Sequence, residues 1–108
     1  MKLIELNPQW KKVDGSDERG GFIMADGFDD AECILILCPL CFQKNKGAEG
    51  THSVFIPNPK MKRDFLGGHA RWEMTGNDFN NLTVNPSVLL KGTCDAHFWI
   101  KNGEIITC

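Results

Sequence analysis

Cys94-Asp95-Ala96-His97-Phe98-Trp99-Ile100-Lys101-Asn102-Gly103-Glu104-Ile105-Ile106-Thr107-Cys108 closes the chain, and its reading decides the architecture. Asn102-Gly103 sits between two apolar runs. Both central residues of a type I′ turn need positive φ, which Asn and Gly supply at least cost, so the segment reads as a two-residue β-hairpin. That turn fixes a register. Lys101 faces Glu104, Ile100 faces Ile105, Trp99 faces Ile106, Phe98 faces Thr107, and His97 faces Cys108. Directly opposed residues hold their Cβ atoms ~4.5–5.5 Å apart, so the register brings Cys108 beside whatever His97 binds.

Upstream of the hairpin, Cys94-Asp95-Ala96-His97 has its counterpart in Cys38-Pro39-Leu40-Cys41. In each pair the two donors stand close enough in sequence for one tight turn to aim both at a single ion. Three thiolates and one imidazole complete a tetrahedral zinc shell, so Cys38, Cys41, Cys94 and His97 are the expected metal ligands and zinc the expected cofactor. Such a filled shell leaves no position for a reacting water, which leans the reading away from an enzyme. A different donor set would draw on His52, His69, Cys33 or Cys108. The opposed Cys108 either replaces one of the four or lies against them. Asp95 either accepts a hydrogen bond from a ligating imidazole or is a solvated loop carboxylate. A redox Cys-x-x-Cys sits at the start of a helix in a βαβ unit. Here Pro39 follows the first Cys, and the residues after Cys41 give no helical pattern.

The chain has 108 residues, room for one domain over residues 1–108 with a core of small margin. Strand signals dominate: Gly21 to Ala25, Glu32 to Leu37, His52 to Ile56, Ala70 to Thr75, Leu82 to Asn85 and Val88 to Leu90. Glu32 to Leu37 is nearly continuous apolar sequence and belongs in the middle of a sheet. Residues 43–51 are polar and read as a loop, and residues 60–69 hold at most one helical turn before Gly67-Gly68. Residues 1–20 read as a loosely packed N-terminal segment. The expected fold is thus mainly β: a small antiparallel sheet domain pinned by one zinc, zinc-ribbon-like, with few or no helices.

Eleven glycines and five prolines fit a turn-rich domain. Net charge is −2, and the short cluster Lys60, Lys62 and Arg63 is no basic arm, so nucleic acid is not an expected partner. No apolar run reaches the ~20 residues that span a bilayer, and the N-terminus has no long apolar signal segment. These features favour a cytoplasmic protein, in which five Cys serve metal rather than disulfides. Cys33 reads as a core thiol and His52 and His69 as ordinary histidines. Asp26-Gly27-Phe28-Asp29-Asp30 lacks the full calcium-loop pattern. Trp10, Trp72 and Trp99 read as core anchors. Neither a Gly-x-Ser-x-Gly nor a His-Glu-x-x-His motif occurs.

The motifs Cys38-Pro39-Leu40-Cys41, Trp72, Gly76, Thr83-Val84-Asn85-Pro86-Ser87 and Cys94-Asp95-Ala96-His97-Phe98-Trp99-Ile100 with Gly103 resemble a family of small phage and bacterial proteins of unknown function. The likeness spans residues 20–108 and is sparse between the motifs. It departs at Leu40 and Phe42, where relatives carry a richer Cys-Gly-Cys knuckle, and at Cys108, where others continue with a further Cys and His. The resemblance implies the metal ligands and a phage or prophage origin, and it implies no reaction. The function expected on this basis is protein–protein interaction: a small phage-type zinc protein acting on an unknown host or phage partner, as an inhibitor of a host defence or host enzyme, in the host cytosol. Two alternatives stand beside it. One is a zinc-dependent hydrolase with an open metal position and His52, His69 or Asp95 as acid or base. The other is a nucleic-acid-binding zinc domain. Oligomeric state is not legible.

Overall fold

The computed structural model describes residues 1–14, 21–61, 71–90 and 94–107. A 3₁₀ turn over Leu3–Leu6 is followed by β1 (Gln9–Val13), β2 (Phe22–Met24), β3 (Cys33–Leu37), α1 (Pro39–Asn45), β4 (Ser53–Pro57), β5 (Glu73–Thr75), β6 (Thr83–Leu89), β7 (His97–Lys101) and β8 (Glu104–Thr107). The strands form two four-stranded antiparallel sheets, ordered β2-β1-β3-β4 and β5-β6-β7-β8. The fold is mainly β, as its alternating and apolar runs predict, with two sheets in place of one.

The strand residues explain the layering. Cys33-Ile34-Leu35-Ile36-Leu37 is flanked by partners on both sides, and Ile34 and Ile36 are fully buried. Val54 and Ile56 of β4, Val84 and Val88 of β6, Phe98 and Ile100 of β7 and Ile105 of β8 join them in one apolar cluster that both sheets share. Each such side chain stabilises the fold by roughly 1.5–3 kcal/mol when taken from water. Trp10 of β1 stacks on Phe79 of the β5–β6 connection at 4.0 Å and meets Phe28 edge-on at 5.9 Å, so the aromatic contacts also cross between sheets.

Three expectations change. The start of the N-terminal segment packs into the core: Leu3 and Leu6 are completely buried, while residues 15–20 lie outside the described ones. The Leu3 amide donates to the Gly103 carbonyl at 2.8 Å, and the Ile105 amide to the Met1 carbonyl at 2.8 Å, so the first residues lie along β8. Second, Pro39–Asn45 is helical, although no helix is expected after Cys41 and a loop is expected from residue 43. Pro39 stands at the first helical position, where its missing N–H costs nothing. Lys46 closes the helix in the left-handed region at φ 57°. Seven residues are too few for an amphipathic period to show. Third, Thr83–Leu89 is one strand and runs through Pro86, which breaks it in a sequence-only reading. The register with β7 shifts between Val84 and Val88, and β5 reaches only to Asn85, so Pro86 stands at an irregularity where no ladder bond is demanded of it.

The hairpin takes the predicted register for all four pairs from Lys101–Glu104 to Phe98–Thr107. Asn102 and Gly103 both have positive φ, at 48° and 75°. Cys108, His69, Lys62 and Arg63 lie outside the described residues, and with them the pairing of Cys108 with His97 and the helical turn expected in 60–69.

Candidate metal centre and serine–histidine pair

Cys38 ends β3 and precedes α1, so the strand delivers its thiol to the helix start. The Leu40 and Cys41 amides point back at that sulfur, the arrangement a Cys-Pro-x-Cys knuckle predicts. Cys41 lies on the first turn of α1. The β3–β4 ladder runs through Leu37–Ser53, and the Cys38 amide donates to the His52 carbonyl at 2.9 Å. The ladder thereby sets His52 beside Cys38. Cys94 arrives from the other sheet, on the connection between β6 and β7, where the Ala96 amide bonds its sulfur.

These four residues form a cluster whose donor atoms all lie within 4.8 Å of one another. Cys38 Sγ stands 3.6 Å from Cys94 Sγ, and His52 Nε2 3.3 Å from Cys94 Sγ. Donors held ~2.0–2.3 Å from a tetrahedral ion are separated from one another by roughly 3.5–3.8 Å, so the cluster can hold a metal ion with little adjustment. His52 Nδ1 faces the Ser53 carbonyl at 3.3 Å, which orients the ring and leaves Nε2 to the sulfurs. Burial pushes the Cys38 thiol up to about 11, while the hydrogen bonds from the Cys41 and Leu40 amides act against it. Desolvation also acts upward on Cys94, but bonds from His52, the Ala96 amide, Cys38 and Cys41 outweigh it and hold that thiol down at about 7. The hydrogen bonds that converge on Cys94 thus favour its thiolate, while burial favours the neutral thiol at Cys38.

Of the expected ligands, the structure brings Cys38, Cys41 and Cys94 together and leaves His97 out. His97 lies past the turn, on β7, and its Nε2 meets Ser87 Oγ at 2.7 Å. Sequence spacing alone had joined it to Cys94. His52, read from the sequence as an ordinary histidine, takes the fourth position. Asp95 sits in the turn at φ 55°, and its amide donates to the Leu90 carbonyl at 3.1 Å. Cys33 is fully buried, and burial pushes its thiol up to about 12.

The Ser87–His97 pair is built by neighbouring strands. Val88 is buried against the core, so Ser87 and Leu89 on either side of it point to the outer face of β6. Phe98 and Ile100 are buried likewise, so His97, Trp99 and Lys101 occupy the outer face of β7. The register Leu89–His97 then sets Ser87 diagonally across from His97. Trp72 holds the serine's backbone: its indole N–H donates to the Ser87 carbonyl at 3.2 Å, and its amide donates to the Pro57 carbonyl at 2.9 Å. In the sequence this serine appears only as the end of the Thr83–Ser87 resemblance motif, with no role attached to it. Among the described residues, no helix is long and apolar enough to cross a membrane.

The fold and its two sites define a small two-sheet β protein with a potential metal centre at one end of the β6–β7 connection and a hydrogen-bonded serine–histidine pair beside it. A family model described as the bacterial ubiquitination-like system serine protease (BubE) matches residues 10–108, and the chain belongs to this family. No curated protein and no solved structure is significantly similar to it. The family overturns the expected function. The membership points to a protease of a bacterial ubiquitination-like system, not to a phage-type inhibitor of a host defence or host enzyme. The spacing of the Cys and His pairs assigns His97 to the metal, whereas the structure sets its Nε2 against Ser87 Oγ.

Proposed function

We propose that this chain is a serine protease in which Ser87 is the nucleophile and His97 the general base, held on a scaffold stapled by structural zinc. The 2.7 Å contact between Ser87 Oγ and His97 Nε2 carries the reading, because a serine is a weak nucleophile until an adjacent base takes its proton. The family's description supports it. In the reaction, Ser87 Oγ bonds to the carbonyl carbon of a polypeptide as its proton passes to His97 Nε2. The carbon–nitrogen bond then breaks, and the same proton moves from Nε2 to the leaving amine. Water repeats the sequence: it gives a proton to Nε2, its oxygen bonds the acyl carbon, and Ser87 leaves with the proton returned.

Zinc would be held by Cys38, Cys41, His52 and Cys94, a donor set of the structural Cys3His type. Four protein donors fill its coordination, so its contribution is to fold and not to chemistry. It would tie Cys94, three residues before His97, to the end of β3 and the start of α1.

A fluorophosphonate probe, which labels activated serines, tests the nucleophile. Wild-type protein should be labelled at Ser87, and both Ser87→Ala and His97→Ala should abolish labelling while unfolding at the wild-type temperature. Equal labelling of Ser87→Ala would end this assignment.

A further inference from the structure

The serine–histidine pair does not stand alone on its face of the sheet. Leu89, directly opposite His97, is 43% exposed, and Ile106, directly opposite Trp99, is 47% exposed. Trp99 is half-buried and is absent from the apolar cluster between the sheets. Lys101 Nζ lies over the indole, 4.8 Å from the centre of its ring. Ser87 and Leu89 share β6, and His97 and Trp99 share β7. The hydrogen bond from Ser87 to His97 therefore runs along one diagonal of a four-residue group, and Leu89 and Trp99 occupy the other two corners.

Leu89 on β6 and Ile106 on β8 flank Trp99 of β7, so the three make a contiguous exposed apolar group beside Ser87, the kind of patch that marks a binding surface. The reaction itself supplies the occupant. A polypeptide whose carbonyl carbon reaches Ser87 Oγ has to lay the residues next to the scissile bond across this same face. There they meet Leu89 on one side of the diagonal and Trp99 with Ile106 on the other. We infer that Leu89, Trp99 and Ile106 form the specificity surface of the protease and select polypeptides that carry a large apolar residue adjacent to the bond cut. This rests on the assignment of Ser87 and His97 above. The other exposed apolar strand, Phe22-Ile23-Met24, lies at the edge of the opposite sheet, away from Ser87 and His97.

The test is a cleavage map on a mixed peptide library read by mass spectrometry, for wild type, Ser87→Ala as the blank, and the charge-introducing double variant Leu89→Asp/Ile106→Asp. Thermal unfolding shows that the variants are folded. Wild type should cut next to Leu, Ile, Met or Phe. The double variant should lose kcat/KM on those peptides by about tenfold or more, the scale set by a hydrophobic contact in a specificity site. It should gain relative preference for Lys or Arg at the same position, which a merely structural role would not produce. Because both substituted residues lie on the surface, Leu89→Ser alone is a milder second variant and should lower the apolar preference in the same direction. Ser87-dependent cleavage with the same residue ranking in wild type and variants would overturn the specificity surface and leave the protease assignment standing. No Ser87-dependent cleavage by wild type anywhere in the library would overturn both.

Discussion

At the scale of single residues, the two histidines separate the two sites. His52 lies in the cysteine cluster and His97 against Ser87, and their variants should be told apart by what they lose. His97→Ala should keep one metal ion per chain and lose catalytic turnover by several orders of magnitude, because the base is gone and the serine is left protonated. His52→Ala should do the reverse in order of severity: metal affinity falls first, by at least 10–100-fold, as expected when a ligand or its orienting bond is removed. Native mass spectrometry of both variants checks this, and loss of metal from His97→Ala with retention in His52→Ala would restore the original ligand set. Cys33 gives a pH prediction. Burial raises its thiol to about 12, so the neutral form dominates at any pH below that value and the reactive thiolate is scarce. In the native protein at pH 8, iodoacetamide should leave Cys33 unmodified. Modification without unfolding would show that the strand opens far more readily than its complete burial implies.

At the scale of elements, the hairpin turn and the β4–β5 connection carry specific costs. Gly103 has φ 75°, and a Cβ there would run into the Asn80 carbonyl. Its own amide donates to the Leu82 carbonyl at 2.8 Å, so the turn cannot simply move away. Gly103→Ala should destabilise by roughly 2 kcal/mol or more, since it combines an unfavourable backbone region with overpacking against main chain. Urea unfolding measures it, and a change under ~0.5 kcal/mol would mean that the β5–β6 connection gives way. Asn58 is the corresponding polar anchor. It is buried, donates to the Ala31 carbonyl at 2.9 Å, and accepts from the Lys60 amide at 2.8 Å. Asn58→Ala leaves both backbone groups without their partner and should cost about 1–3 kcal/mol.

At the scale of the whole molecule, the metal cluster and the reactive pair share one connection. Cys94 joins the cluster, and a few residues either side of it β6 presents Ser87 and β7 presents His97. Cys38, Cys41 and His52 come from the other sheet, so an ion at this site links the two layers at the point where the diagonal pair is set. A chelator should therefore lower both the unfolding temperature and Ser87-dependent turnover, and added zinc should restore them together. Full activity after complete metal removal would separate the two sites and make the cluster a feature of stability alone.

Much of this was legible locally. The hairpin pairs, the glycine at the turn, the apolar β3 and the mainly β character follow from turn chemistry and alternation over a few residues, where neighbours in sequence are neighbours in space. The same local logic marked Cys38, Cys41 and Cys94 as thiols aimed by tight turns. Only the tertiary structure decided which histidine joins them. His52 reaches Cys38 through the β3–β4 register, a pairing between strands separated by a helix and a loop, and His97 is carried off onto the outer face of β7 although it lies three positions from Cys94. Ser87 was legible only as the end of the Thr83–Ser87 motif, with no role attached, for the same reason. Its chemistry comes from the neighbouring strand, and a diagonal contact between two strands exists only once the sheet has set their register.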